Sequence, residues 1–180
     1  MSQSSVPDFA ELLRGAQHSA VHLEMRDSYG VGDEAEEIEL FARTGQIVLD
    51  PTARWWPEWL GLVKETLARG VVMRRARIVS EPVTDYIRWE HAVTALNVGA
   101  GEQVRWLPRR RASAIALPGN DFWLIDDRLV MFHFFTGDGD WADPGCELTE
   151  DPAAVSLCAS AFETVWARGI PHEKYTVQAP

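Results

Sequence analysis

Two apolar runs separated by three polar residues constrain the fold of this chain more than any other feature. Phe122 to Ile125 and Leu129 to Phe135 flank the tripeptide Asp126-Asp127-Arg128. Apolar, aromatic-rich and β-branched runs joined by a short polar turn are typical of a β-hairpin. The sequence therefore predicts a hairpin from Asp121 to Phe135 in the core of a mixed α/β domain.

Apolar periodicity predicts further elements on both sides of this hairpin. The predicted helices span about residues 8–18, 33–44, 59–70, 82–101 and 152–168, and the predicted strands span about 20–25, 71–80 and 103–107. On the first strand, Val21 and Leu23 share one face, while His22 and Glu24 share the other. The predicted fold is mixed α+β, a central mixed sheet with flanking helices.

The length and composition fit one domain over residues 1–180. A chain of 180 residues with 46% hydrophobic residues is long enough to bury a core. We expect a helix-strand-helix segment at about 8–45 and the main sheet and helices at about 59–176. Because we find neither a basic, apolar leader nor a long apolar run, we expect a cytoplasmic protein outside the membrane. Cys146 and Cys158 are then expected to be reduced, buried or half-buried side chains.

The net charge of −10 is unevenly distributed along the chain. Between Arg69 and Arg111, nine arginines face four acidic residues, which gives this segment a charge of about +5. An acidic protein repels nucleic acid, so we expect no direct nucleic-acid binding away from this segment. The arginines of the segment either form an anion-binding surface or pair with the protein's own carboxylates. The candidate ligand-binding residues are Arg75, Arg77, Arg88, Glu90, Arg105, Asp126 and His133.

Catalytic and cofactor motifs give no assignment. The chain contains neither a G-x-S-x-G elbow nor a phosphate-binding loop, and Gly99-Ala100-Gly101 follows a predicted helix instead of opening one. His18 and His22 have the spacing of two zinc ligands but lack the acidic residue and a third ligand. The acidic residues from Asp138 to Glu147 do not match a calcium loop, so we expect a solvated loop there. No catalytic residue, metal or cofactor is predicted.

Three tryptophans form a cluster on the proline-bounded connection before the third predicted helix. Trp55, Trp56 and Trp59 are candidate partner-binding residues, because tryptophan is enriched at protein interfaces. Packing of this connection onto the domain explains the cluster equally well.

Several longer stretches resemble one protein family. The sequence reads, in order, "HSAVHLE", "RARIVSEPVTDYIRWE", "NVGAGEQVRWLPR", "LPGNDFWLIDDRLVMFHF" and "VWARGIPHEKY". Together these stretches resemble the uncharacterised actinobacterial family called domain of unknown function 6879, over about residues 8–176. The resemblance implies a regulatory role, because genes of this family lie beside genes for helix-turn-helix regulators and a small partner protein.

The order of elements from Val71 to Arg168 also resembles one half of a phospholipase D-like domain. That superfamily carries the motif H-x-K followed, after four residues, by aspartate, in which histidine is the nucleophile. Aligning Asp126 with the motif's aspartate puts Gly119 in place of the histidine and Asp121 in place of the lysine. Aligning Asp127 instead puts Asn120 and Phe122 there. The resemblance therefore implies a non-catalytic relative, such as a sensor or docking domain.

The combined sequence interpretation is a non-enzymatic regulatory or binding protein. Its expected partner is a helix-turn-helix regulator or a small protein from the same locus, and a homodimer is an open possibility. The alternative is a phosphoester-processing enzyme, or a sensor of a phosphate-containing ligand, that uses the arginine-rich side. An enzyme should place His133, or Asp126 and Asp127, beside arginines in one pocket, whereas a binding module should expose a tryptophan-rich patch away from any pocket.

Overall fold

A computed structural model describes residues 8–30, 34–47 and 49–178, and these form five α-helices and seven β-strands. The helices are α1 (Phe9–Gly15), α2 (Ala35–Thr44), α3 (Trp56–Ala68), α4 (Asp85–Ala100) and α5 (Pro152–Arg168). The strands are β1 (Ser19–Glu24), β2 (Val72–Val79), β3 (Gln103–Pro108), β4 (Phe122–Ile125), β5 (Leu129–Phe135), β6 (Trp141–Thr149) and β7 (Ile170–Pro171). Two short 3₁₀ helices follow β3 and β7. The predicted mixed α+β class is confirmed.

The described strands form one sheet in the order β6-β5-β4-β1-β2-β3-β7. β1 pairs in parallel with β2, and β2 with β3, whereas the other neighbouring pairs are antiparallel. Parallel neighbours need long crossovers, and α2 and α3 supply the first while α4 supplies the second. The sheet is therefore mixed, with its parallel part beside the hairpin of β4 and β5.

The predicted hairpin is present, and its turn is fastened to the start of β1. Asp126 and Asp127 both have positive φ angles, 52° and 51°, a conformation that aspartate tolerates better than most residues. The Asp126 carboxylate accepts hydrogen bonds from the backbone N–H groups of Gln17, His18 and Ser19, at 2.9, 2.7 and 2.9 Å. These bonds hold the hairpin turn against the segment between α1 and β1.

Both faces of the sheet are covered. α5 packs on one face, where buried apolar residues form a continuous core that includes Val21, Leu23, Ile78, Leu124 and Phe162. α3 and α4 cover the opposite face, to which His22, Glu24, Arg75 and Arg77 also belong. The alternation predicted for β1 is thus present, but its polar side chains point into a covered face instead of into solvent.

The structure corrects four details of the sequence prediction. α3 begins at Trp56, so Trp56 lies in the helix instead of on the connection before residue 59, whereas Trp59 lies in the helix as predicted. α4 begins at Asp85, capped by the Thr84 hydroxyl that accepts the Ile87 N–H, and not at Pro82. The expected solvated loop between Asp138 and Glu147 contains most of β6, and the short β7 was not predicted at all. Backbone pairing with β5 and β3 creates these edge strands without an apolar pattern of their own.

Two expectations concern the chain's surroundings. None of the described helices combines the length and the apolar character needed to cross a bilayer. Cys158 is buried and Cys146 is half-buried, and both are free thiols, as predicted.

Candidate functional site

A cavity of about 270 Å³ lies between the sheet and the helices α3 and α4. Its volume is close to the lower end of known small-molecule sites, about 300–1,000 Å³. β1, β2, β4, β5 and β6 contribute side chains from the sheet, and the N-terminal part of α3 and the length of α4 contribute the opposite wall. The cavity is therefore built mostly on regular elements, which hold its side chains in fixed positions.

A network of buried ion pairs forms the floor of the cavity. Glu24 on β1 accepts hydrogen bonds from both Arg75, at 2.9 Å, and Arg77. Arg77 also contacts Glu90 at 2.9 Å, and Arg75 contacts Glu102 at 2.8 Å. Strand register explains the network, because Glu24 and Arg77 are direct neighbours on the parallel strands β1 and β2. Each guanidinium thus already holds two carboxylates, so the buried charges are paired as stability requires.

Aromatic rings surround this floor. The lining includes six of the chain's eight tryptophans, together with two tyrosines and two phenylalanines. They are Phe9, Tyr29, Trp55, Trp56, Trp59, Tyr86, Trp89, Trp123, Phe135 and Trp141. The Arg75 guanidinium lies near both the Trp59 and the Trp123 ring, at 5.7 and 5.6 Å from their centroids. These distances permit cation–π attraction, so the walls already stabilise one positive charge.

Two histidines lie at the edge of the floor. The His22 ring stacks on the Trp123 ring with centroids 4.3 Å apart, and it meets the His133 ring edge-on at 5.5 Å. Burial lowers the pKa of His22 well below its usual value and that of His133 to about 4. The nearby Glu24 carboxylate opposes this shift without overcoming it. Both imidazoles are therefore neutral near pH 7.

Several polar atoms of the lining have no hydrogen-bond partner within the described part of the chain. They are both ring nitrogens of His22, Nε1 of Trp89 and Oε2 of Glu90. The three residues are only 6%, 3% and 7% exposed, so bulk water does not supply the missing hydrogen bonds. An unsatisfied buried polar group costs about 1–3 kcal/mol, which a bound molecule with complementary groups would recover.

The pKa values of the carboxyl groups in the cavity are shifted in opposite directions by burial and by neighbouring arginines. Burial would raise the pKa of Glu24, but the guanidinium groups of Arg77 and Arg75 hold it well below its usual range. By contrast, burial raises the pKa of Glu90 to about 8, that of Glu34 to about 7 and that of Asp121 to about 6. Asp121 is also bonded to the Tyr29 hydroxyl and to the Met25 N–H. The cavity therefore contains both a firmly ionised carboxylate and carboxyl groups that titrate near neutral pH.

The structure brings four of the seven candidate ligand-binding residues together. Arg75, Arg77, Glu90 and His133 all line the cavity. The other three lie outside it. Arg88 pairs with Asp85 on the solvent side of α4, Arg105 donates to the Trp166 carbonyl on the α5 face, and Asp126 holds the hairpin turn.

The arginine-rich segment does not form one surface. Arg74 and Arg105 point to the α5 face, where Arg74 pairs with Glu163 at 2.6 Å and stacks near Trp166. Arg109 donates to the backbone carbonyls of Met25 and Ile78 and contacts Asp27. Pairing with the protein's own carboxylates and carbonyls, one of the two readings of this segment, is what the contacts show.

The tryptophan cluster lies at the cavity instead of away from it. Trp55 stacks on Trp56 with centroids 4.1 Å apart, and both line the cavity with Trp59. Trp55 is 38% exposed, but Trp56 is only 7% exposed. Trp141 on β6, which sequence reasoning did not single out, is 51% exposed and also lines the cavity. Trp55 and Trp141 therefore form an exposed rim of the cavity, which belongs both to the cavity wall and to the protein surface.

A family match follows the sequence resemblance. Residues 7–177 match the family described as "Domain of unknown function (DUF6879)". The chain belongs to this family. No functionally curated protein matches the chain.

Solved structures extend the comparison of the DUF6879 chain to its fold. The phospholipase D family member Nuc from Salmonella typhimurium superposes with a TM-score of 0.52 at 11% identity, over 90% of this chain and 86% of Nuc. NucT from Helicobacter pylori gives 0.48 at 11% identity, over 90% and 87%. TrmBL2, an archaeal chromatin protein, gives 0.46 at 12% identity, over 90% and 49%. The similarity to Nuc confirms a phospholipase D-like fold for this DUF6879 chain.

The position that the sequence alignment gives to the motif's lysine lies in the cavity. Asp121 lines it and accepts the Tyr29 hydroxyl, whereas the H-x-K tripeptide that the chain does contain, His172 to Lys174, lies in the 3₁₀ helix after β7. The aspartate that this tripeptide would need at position 179 is replaced by Ala179.

Within the described residues, no group of three His, Cys, Asp or Glu side chains is placed to hold a metal ion.

Sequence reasoning missed most of the cavity wall. Glu24, Glu34 and Trp123 carried no motif, and Trp89 was read only as part of a buried helix stripe. A usable signal was the polar face of β1, where His22 and Glu24 alternate with Val21 and Leu23. Two charged or polar residues on a strand of a sheet with helices on both faces must be paired inside the fold.

Proposed function

We propose that this DUF6879 chain is a non-enzymatic regulatory domain that binds a small molecule in its aromatic cavity. The observation that carries the proposal is that three residues lining the cavity, His22, Trp89 and Glu90, have buried polar atoms with no partner within the described residues. Such atoms, inside a largely aromatic cavity, match the composition of ligand sites, in which a few polar groups orient the ligand.

The alternative function, action on a phosphate-containing ligand, has one feature expected of an enzyme, because His133 lines the same cavity as Arg75 and Arg77. The carboxylates already bound to these arginines nevertheless give it less support. A phosphate site needs guanidinium groups that are open to the anion. In the cavity, Arg75 and Arg77 each hold two carboxylates already, so a phosphate would have to displace one of them. The charge pairing therefore favours a different ligand.

A thermal-shift screen tests the binding function. Ligands that occupy the cavity should raise the melting temperature by about 2–4 °C for each kcal/mol of binding stabilisation. The variant Val93→Phe fills the cavity from α4 and should abolish the shift. Val98→Phe, the same change at a 39% exposed position of α4, is the matched control and should retain it. A library that gives no shift, or equal shifts in both variants, would contradict the proposal.

The proposed regulatory action requires a protein partner, and we propose a helix-turn-helix regulator, the class of partner that the family resemblance implies. The exposed rim supports a partner surface that responds to the ligand, because Trp55 and Trp141 line the cavity and are also exposed to a partner. Large exposed aromatic side chains are the residues that contribute most at protein interfaces.

A pull-down with that regulator tests the partner. Trp141→Ala should weaken the complex at least about tenfold if Trp141 is an interface residue. Leu157→Ala, on the opposite face and 39% exposed, should leave binding unchanged. No binding by the wild-type protein at micromolar concentration would remove the proposed partner but not the ligand site.

A further inference from the structure

We infer that the ligand of the cavity is a small organic cation, with an ammonium, amidinium or guanidinium group on an apolar body. This inference rests on the proposed function, since it names the class of molecule that the proposed site accepts. Three features of the cavity point to positive charge: its charge balance, the unpartnered oxygen of Glu90 and its aromatic walls.

The carboxyl groups in and beside the cavity outnumber the guanidinium groups that line it. Four carboxyl groups line the cavity, on Glu24, Glu34, Glu90 and Asp121, and Glu102 lies buried behind Arg75. Arg75 and Arg77 supply two positive charges, and the neutral histidines supply none. Three carboxyl groups are therefore formally uncompensated, and buried negative charge is stable only when it is paired or protonated.

Glu90 is the best-placed group to receive a cation. Its Oε1 contacts Arg77 at 2.9 Å, while its Oε2 has no hydrogen-bond partner within the described residues. The side chain is 7% exposed and lines the cavity. An N–H donor carrying positive charge would form the charge-assisted hydrogen bond that this oxygen lacks.

The walls are suited to a positive charge with apolar substituents. Trp55, Trp56, Trp89 and Trp141 lie around the same space as the carboxyl groups. The faces of such rings attract cations, most strongly where water is excluded. Trp59 and Trp123 already flank the Arg75 guanidinium in this way, so the same wall stabilises a cation within the protein itself.

Matched probes of equal shape test the charge preference. Benzamidinium, benzamide and benzoate carry positive, zero and negative charge on the same ring, and phenethylammonium with 2-phenylethanol gives a second pair. In isothermal titration calorimetry at about pH 8, each cation should bind at least about tenfold more tightly than its neutral analogue. Benzoate should bind least.

Carboxylate variants locate the interaction. Glu90→Gln should reduce benzamidinium affinity by about tenfold while benzamide binding is unchanged. Glu34→Gln is a second test variant, because Glu34 lies outside the direct ion pairs among Glu24, Arg75, Arg77 and Glu90. It should also reduce cation affinity, and it replaces Glu90→Gln in the test if that variant is too unstable to measure. Glu163→Gln, on the α5 face, should have no effect. Circular dichroism confirms that each variant is folded.

The pH dependence gives an independent readout. Glu90 faces charged and titratable groups from every neighbouring element: Glu24, Arg75, Arg77, Tyr29, Glu34 and Tyr86. A cation binds the ionised form of a carboxyl group that burial keeps largely protonated below its raised pKa. Cation affinity should therefore rise between about pH 6 and about pH 9, with protons released on binding.

The outcomes separate the ligand class from the site. Neutral analogues that bind as tightly as the cations, or benzoate that binds best, would overturn the cation inference. If that binding is lost in Val93→Phe, the cavity remains the ligand site and only its ligand class changes. If neither the probes nor the screened library bind in a way that Val93→Phe removes, the proposed function fails as well.

Discussion

At the scale of single residues, buried charged side chains determine the chemistry of the cavity floor. Sequence reasoning found Arg75, Arg77, Glu90 and His133, but it could not tell a solvated strand face from a buried ion-pair network. Both have the same alternating pattern, and only the register of β1 against β2 shows that Glu24 lies beside Arg77. The carboxyl partners Glu24 and Glu102 were therefore missed, while Glu90 and the arginines were found.

The buried ion pairs should be essential to stability. Arg77→Met leaves Glu24 and Glu90 buried without their shared partner, so unfolding free energy should fall by about 3–5 kcal/mol. Arg74→Met, on the same strand, breaks a pair with the largely exposed Glu163 and should cost only about 1 kcal/mol or less. Urea denaturation measures both values. Equal losses would show that the cavity network is no more important than a surface pair.

His133 should make stability depend on pH. Its folded pKa of about 4 lies below the unfolded value of 6.5 because the ring is largely buried. Between these values the unfolded chain binds the proton and the folded chain does not, so stability falls as pH falls. Relative to His133→Gln, the wild type should lose about 3 kcal/mol between about pH 7 and about pH 4. Urea denaturation at each pH measures the unfolding free energy of both proteins. If this free energy falls by the same amount in wild type and variant, the burial of the His133 ring is contradicted.

At the scale of elements, the sequence predicts strands that carry their own pattern and fails where pairing alone creates them. The hairpin of β4 and β5 and the helix Pro152–Arg168 were predicted with their observed bounds. β6 contains Pro144 and Gly145 and no regular alternation, and it exists because β5 offers an open edge. This strand brings Trp141 to the cavity, so the missing strand also concealed part of the site.

The hairpin turn gives a prediction at this scale. Asp126→Ala should lower the unfolding free energy by about 2–3 kcal/mol, because the backbone N–H groups of Gln17, His18 and Ser19 lose their acceptor. Asp127→Ala has the same positive φ and serves as the control for backbone strain alone. Thermal or urea unfolding compares the two. A smaller loss for Asp126 than for Asp127 would show that the carboxylate does not fasten the turn.

At the scale of the whole molecule, this chain combines a phospholipase D-like fold with an aromatic cavity on one face of its sheet. The similarity to Nuc concerns the arrangement of helices and strands only. On the covered sheet face of this chain, paired arginines, titrating carboxyl groups and six tryptophans surround one cavity. The fold resemblance could be predicted from the sequence, but the cavity could not, because its residues come from many separate segments of the chain.

A co-crystal structure with 4-bromobenzamidinium tests the central claim most directly, because the anomalous signal of bromine locates the molecule without interpretation of its shape. We expect one strong peak inside the cavity between the sheet and α4, with the amidinium within hydrogen-bond distance of Glu90. Bromine peaks confined to the protein surface, with the cavity empty at saturating ligand, would contradict it.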